Sequence, residues 1–248
     1  MSATIPLTDE LERIREAIVT CESCPRLRDY CRRIGREKRA AYRNDTYWAR
    51  PVAGFGDPAA SIAIIGLAPA AHGANRTGRN FTGDGAGGSG DFLMAALHAN
   101  GLANQPISRS PDDGLALKHA WIAAAVRCAP PDNLPTPAEI AACQPHLIAE
   151  LGALPNVRVY VALGRIAYDA CWRILGAERN RVSDRRMGNP VSSRPPFGHG
   201  ARYRTRDGRV VIAAYHPSRQ NTNTGRLTPG MLRQVFRLAA KAAAIEKR

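Results

Sequence analysis

Lysine is nearly absent from this chain. Lys38, Lys118, Lys241 and Lys247 are the only four among 35 basic residues, in a sequence of 248. None lies in either of the two long polar loops described below, which removes a nucleophilic amine, and with it Schiff-base chemistry, from those loops. Acidic residues are also short, 21 against 35 basic, leaving a formal charge of +14. No apolar run reaches the ~18 residues that would span a membrane. The opening segment, residues 1–16, lacks the apolar stretch of a secretory signal. These absences are those expected of a soluble, intracellular chain.

An excess of positive charge this large attracts polyanions, and nucleic acid is the usual one inside a cell. Guanidinium forks hold phosphate oxygens in pairs, but an arginine-biased genome accounts for the Arg-to-Lys ratio equally well. The sign of the charge is informative; the choice of cation is not.

Segments of strand and helix character alternate. Residues 8–19 are amphipathic, and 26–50 carry eight Arg and one Lys against Asp29, Glu37 and Asp45. Residues 61–67 (SIAIIGL), 120–126, 157–163 and 209–215 read as strands, the first apolar almost throughout and so buried on both faces. Residues 91–100, a helix from Thr136 to about Gly152, and 165–175 read as helices. Thr136-Pro-Ala-Glu139 is a capping box with Pro at the first helical position, and Thr228-Pro229 opens a C-terminal helix. The expected fold is a three-layer α/β/α domain over residues 1–248 with a central four-stranded parallel sheet. Residues 177–208, rich in Arg, Pro, Gly and Ser, read as a basic flexible loop or hairpin. Ligands in such folds sit beyond the C-terminal ends of the strands. The loops 68–90, with seven glycines, and 216–227 both leave from such ends and should line one cleft.

Six cysteines in such a chain argue for metal or redox chemistry rather than disulfides. Cys21 and Cys24 form a C-x-x-C pair, Cys128 follows the second strand, and Cys143 lies fifteen positions later. One close pair with two scattered partners fits an iron–sulfur cluster better than zinc, by about two to one. Cys31 and Cys171 lack a partner pattern, and Cys171 beside Trp172 reads as a packing residue. The loop GLAPAAHGANRTGRNFTGD is neither a Walker A nor a Rossmann fingerprint, so nucleotide hydrolysis and dinucleotide binding are excluded. The loop HPSRQNTNTGR offers an imidazole, amides, hydroxyls and two guanidinium groups close behind a strand.

These stretches, with AAVRCAPPDNLPTP, resemble the uracil-DNA glycosylases, specifically the iron–sulfur type B branch (family 5), from about Cys21 to Arg237. The resemblance implies a monofunctional, monomeric enzyme of base excision repair. Its partner would be duplex DNA carrying a damaged base, with no membrane and no nucleotide cofactor, in the cytoplasm and nucleoid of a bacterium or archaeon. Asp84 matches the carboxylate near the attacking water. Phe81 matches the aromatic on which the flipped base stacks, and His216 the histidine that stabilises charge on the base's O2. Asn221 lies in the same motif and is taken as a third catalytic residue. Gly66, Leu67, Ala68, Pro69, His72, Asn75, Asn80 and Ala124 are assigned to the base. Arg76, Arg79, Ser218, Arg219, Gln220 and Arg226 are assigned to DNA, with Arg219 and the residues around Gln220 as candidates for a wedge. Cys21, Cys24, Cys128 and Cys143 would ligate a 4Fe-4S cluster. Ala124 stands where narrowly uracil-selective relatives carry Asn, which implies tolerance of other modified bases. Without lysine in either loop, base excision without strand cleavage is expected. The competing reading is a non-catalytic nucleic-acid binder with a structural cluster.

Overall fold

The computed structural model of the chain describes residues 7–175, 182–183, 190–191 and 195–244. Four fully buried parallel strands form its centre: β2 (Ile62–Gly66), β3 (Ala120–Ala124), β4 (Val159–Leu163) and β8 (Val210–Ala214). β2 pairs with β3 on one side and β4 on the other, and β4 pairs with β8. These strands coincide with the four apolar runs of the sequence.

The sheet is wider than its four expected strands. β1 (Phe55–Gly56) adds antiparallel to β3, and β7 (Arg202–Arg204) antiparallel to β8. A short antiparallel pair, β5 (Val182–Ser183) and β6 (Pro190–Val191), extends that edge to eight strands. The reading of 177–208 as a flexible loop or hairpin falls in part outside the described residues. Within it, β7 has the alternation of a strand with one solvent face, with Tyr203 buried between exposed Arg202 and Arg204. Two arginines in three residues hide that alternation from an inspection of hydrophobicity.

Period-two alternation divides the core into two layers. Ala63 and Ile65, Trp121 and Ala123, Tyr160 and Ala162, and Val211 and Ala213 face one side. There they meet α1 (Leu7–Val19), α5 (Pro137–Gly152) and α6 (Arg165–Ile174) through Leu11, Leu151 and Trp172. Ile62 and Ile64, Ile122, Val159 and Val161, and Ile212 face the other side. They pack on α4 (Ser89–His98) and α8 (Pro229–Ala242) through Leu93, Leu97, Leu232 and Phe236. Helices on both faces leave no strand position in water, which is why the strands lack polar alternation.

The capping box forms as the sequence predicts: the Thr136 hydroxyl accepts from the Glu139 N–H, and Glu139 accepts from the Thr136 N–H at 2.7 Å. Between α1 and the sheet, the basic stretch folds as α2 (Pro25–Glu37), opened by Cys24 as its N-cap residue. Two further short helices interrupt the polar loops, α3 (Ala74–Thr77) and α7 (Arg219–Asn223). No helix among the described residues is long and apolar enough to cross a membrane.

Candidate active site

β2, β3 and β8 all end at the same edge of the sheet. Gly66 and Ala124, the last residues of β2 and β3, pair directly across the ladder. Together they floor a cavity of about 530 Å³ whose walls include Leu67, Ala68, Asn80, Phe81, Asp84, His216 and Ser218. The strand order changes direction here, since the chain leaves β2 to one side for β3 and then crosses back to β4 on the other. That is the place where an open α/β sheet leaves a crevice. The two loops expected to meet do so: the Phe81 and His216 rings stack with centroids 5.8 Å apart and planes inclined by 29°.

The glycines of the first loop make this approach possible. A Cβ on Gly66 would stand 2.9 Å from Phe81 Cε2, and one on Gly73 would collide with Asp84 Oδ1. Phe81 itself has φ +52°, a left-handed conformation that costs about 1 kcal/mol or more in a bulky residue. The strain holds its ring against the end of β2.

Asp84 and His216 are both half-buried at the cavity wall. Burial raises the Asp84 carboxyl above its ordinary value of 3.8, opposed by the Gly90 N–H, which donates to Oδ2 at 3.3 Å. Arg219 lies across the mouth and donates from Nη2 to the Asp84 carbonyl at 3.3 Å. Burial pushes the His216 imidazole down to about 4, so it is neutral at physiological pH. Among the described residues no hydrogen bond takes either of its ring nitrogens, which leaves one N–H for whatever enters.

The remaining assigned residues divide. Asn80 lines the cavity, but its Nδ2 is committed to the Ala53 carbonyl at 2.9 Å. Ser218, Arg219 and Gln220 border the mouth, the last two exposed. Asn221 does not reach the cavity: its Nδ2 donates to the His216 carbonyl at 2.8 Å. There it holds the backbone of His216. Pro69, His72 and Asn75 lie behind the wall. His72 Nδ1 pairs with the Tyr47 hydroxyl at 2.9 Å, and buried Asn75 donates to the carbonyls of Cys31 and Ala71.

Two of the arginines assigned to DNA are internal struts. Buried Arg79 donates to both carboxylate oxygens of Asp113 at 2.8 Å, to Ser108, to Thr82 and to the Pro111 carbonyl. Arg76 pairs with Asp45 at 2.6 Å, donates to the His72 and Gly83 carbonyls, and stacks on Tyr42. Arg226 is exposed and lies over the Tyr215 ring. The sequence reading missed Asp132, Asn133 and Leu134, which also line the cavity. The signal available was the run of prolines and Asx residues in PPDNLPTP.

A second, small cavity is lined by Cys21, Cys24, Cys128 and Cys143 together. Cys128 and Cys143 are buried, and burial raises the Cys143 thiol to about 11. N–H donors point at the sulfurs: the Arg127 amide lies 3.2 Å from Cys143 Sγ and Arg28 Nη1 4.0 Å from Cys128 Sγ. Arg127 also lines this space; its Nη2 is paired to Glu150 at 2.7 Å, and among the described residues its buried Nε and Nη1 have no hydrogen-bond partner. Thiols, unused guanidinium N–H groups and N–H groups aimed at sulfur fit an anionic cofactor held by thiolates. Among the described residues no three His, Cys, Asp or Glu close on a point as a single metal ion requires. The thiols surround a space instead. Cys171 is buried among the core residues of α6, as a packing cysteine should be.

A sequence model described as the uracil DNA glycosylase superfamily matches residues 53–240. The chain is 48% identical over 234 residues to a type-5 uracil-DNA glycosylase of Thermus thermophilus, covering 94% of this chain and 99% of that protein. A type-5 enzyme of Mycobacterium tuberculosis is 47% identical over 230 residues, 92% of this chain and 80% of its own. A type-4 enzyme of Pyrobaculum aerophilum is 27% identical over 176 residues, 71% of each chain.

The Arg79 assignment can be separated from DNA binding. Replacing Arg79 with Ala leaves the Asp113 carboxylate without its buried partner and should destabilise the fold by about 3 kcal/mol. The salt dependence of DNA affinity should keep its slope, because no phosphate contact is lost. Denaturant melts and a salt titration read the two effects; a shallower salt slope with an unchanged melt would return Arg79 to the DNA surface.

Proposed function

We propose that this chain, which belongs to the uracil-DNA glycosylase superfamily, excises uracil from duplex DNA in base excision repair. It would hydrolyse the N-glycosidic bond and leave an abasic site on an intact strand. Identities of 43–48% to type-5 enzymes against 27–28% to type-4 enzymes group it with type 5. The observation that carries the reading is the convergence of Phe81, Asp84, Ala124 and His216 on one cavity at the strand ends. A binder without activity would not need a desolvated carboxylate and an unbonded imidazole facing the same space.

The target base must first leave the stack, at a cost of a few kcal/mol. In the cavity its flat face meets the Phe81 ring. As the C1′–N1 bond breaks, its electron pair goes to the base and spreads to O2, while C1′ becomes cationic. Neutral His216 donates an N–H to O2; such donors contribute roughly 3–4 kcal/mol in comparable sites. Asp84, ionised, opposes the charge on the sugar and orients the water whose oxygen bonds to C1′. One proton of that water passes through the carboxylate, and the base leaves neutral once protonated. Ala124, at the floor, presents a methyl group where a carboxamide would read the pyrimidine edge, which supports acceptance of deaminated and modified bases besides uracil. With no lysine in either loop, no covalent intermediate forms with the sugar, and borohydride should trap no adduct.

Cys21, Cys24, Cys128 and Cys143 would hold a 4Fe-4S cluster, which with four protein ligands has no open position and supplies a cross-link. The ligands tie the start of α2 to the end of β3 and to α5. Exposed Arg219 at the mouth and the net charge of +14 favour DNA as partner, with the duplex as the form that holds a paired uracil. The cytoplasm and nucleoid are the fitting location, and a monomer suffices, since the site is built from one chain.

Asp84→Asn should lower single-turnover excision about 10²–10³-fold with binding retained, and His216→Ala by a similar factor. The pH profile should be flat through neutrality and fall on the acid side as Asp84 takes up a proton, above the ordinary carboxylate value of 3.8. His216 stays neutral down to about 4, so no inflection belongs at the ordinary histidine value of 6.5. A limb near 6.5 that disappears in the His216 variant would contradict this assignment. For the cysteine site, Cys143→Ser should lower iron content and Tm together, while the folded fraction cleaves at close to the native rate. An unchanged Tm with lost cleavage would count against a structural role.

A further inference from the structure

The cavity lining includes a side chain that the mechanism above does not use. Leu134 is 69% exposed, the most exposed large apolar side chain among the described residues, and it lines the same cavity as Asp84 and His216. Burying an apolar side chain is favourable, yet the local structure holds this one outward by several independent means.

Asp132 and Asn133, immediately before it, both have left-handed backbones, φ +54° and +58°. Two consecutive non-glycine residues in that region are strained, and they reverse the chain so that Leu134 comes to the rim. Pro130, Pro131, Pro135 and Pro137 surround the turn and restrict its alternatives. Leu134, preceding Pro135, sits at φ −118°, ψ 88°. The Leu134 N–H donates to the Pro131 carbonyl at 2.9 Å. Its own carbonyl accepts from Arg26 Nη2 at 3.3 Å, and the same guanidinium grips Glu139 in a fork at 2.7 and 2.8 Å. Glu139 is in turn the capping-box residue of α5. The leucine is therefore a rigid, exposed apolar projection on a pocket roomy enough for a base.

Resting on the glycosylase reading, we infer that Leu134 inserts into the base stack and fills the space vacated by the flipped nucleotide. Apolar wedges between base steps offset the stacking lost on opening, and a preorganised wedge does so without an ordering cost of its own. Arg219, the alternative from the sequence, is tied back by its Nη2 to the Asp84 carbonyl. Gln220 beside it is polar and stacks poorly.

The test compares single-turnover excision from two duplexes, one with uracil paired to adenine and one with uracil opposite a tetrahydrofuran spacer, where no pair need break. Wild-type cleavage of both establishes the glycosylase reading itself; no cleavage of either would sink that reading first. Leu134→Ala should slow the U·A duplex about tenfold or more and the spacer duplex about threefold or less, and Leu134→Met should recover most of the difference. A second readout is the fluorescence of 2-aminopurine placed beside a cleavage-resistant 2′-fluorinated deoxyuridine. Its rise on mixing should be smaller with Leu134→Ala. As an exposed residue, Leu134 should leave Tm unchanged on substitution. Equal slowing on both duplexes, no slowing on U·A, or an unaltered fluorescence rise would each overturn the wedge.

Discussion

The site depends on how closely the first loop can lie against the ends of β2 and β3. Phe81 is pressed onto Gly66 and Asp84 onto Gly73, each at a distance that leaves no room for a β-carbon. A methyl group at either position would push the aromatic ring or the carboxylate out into the cavity and away from His216. The glycines therefore serve approach more than turning. The left-handed backbone of Phe81 is the local cost of this arrangement, offset by packing of its ring against the α4 layer of the core. Because the loop is pressed onto the end of a fully buried strand, the reactive groups inherit their precision from the core.

A charge of +14 is easily read as a coat of phosphate contacts. The arrangement of the arginines corrects that picture. Arg28, Arg79 and Arg127 are buried, and Arg76 is nearly so, each bonded to carboxylates, backbone carbonyls or the neighbourhood of the cysteines. Guanidinium groups here brace loops that lack enough apolar surface to hold themselves. The charge left for DNA is correspondingly smaller. The pocket's selectivity then comes from shape and from two or three aimed groups rather than from overall attraction.

The four central strands were legible because each is covered on both faces and so reads as a continuous apolar run; α5 was legible because its cap is spelled out in Thr136 and Glu139. The meeting of Phe81 and His216 followed from topology, since loops leaving the C-terminal ends of parallel strands share one edge. What was not legible is pairing at long range. Arg79 and Arg219 look alike in the sequence, each in a polar loop beside a site residue. Only Asp113, 34 positions from Arg79 and in no recognisable motif, decides that one is a strut and the other a rim residue. The bond from Asn221 to the His216 carbonyl was hidden for the same reason, since only the turn of α7 brings the two together. β7 was hidden because a strand with one solvent face can show arginine there and bury a single tyrosine.

One stretch of chain joins the two cavities. Ala124 forms the floor of the first, Cys128 lines the second, and Asp132–Leu134 return to the rim of the first, all within eleven residues. Segment 124–134 therefore has its middle fixed at the cysteines and both ends exposed to the base. The Arg26–Glu139 fork clamps the far end to α2, whose first turn begins at Cys24. A cofactor held by the four thiols, as proposed, would remove freedom from the loop between floor and rim, chiefly in the unfolded chain. With no open position it would supply no electron or ligand to the bond that breaks, and would sit near the reaction as a brace for the fold that carries the pocket.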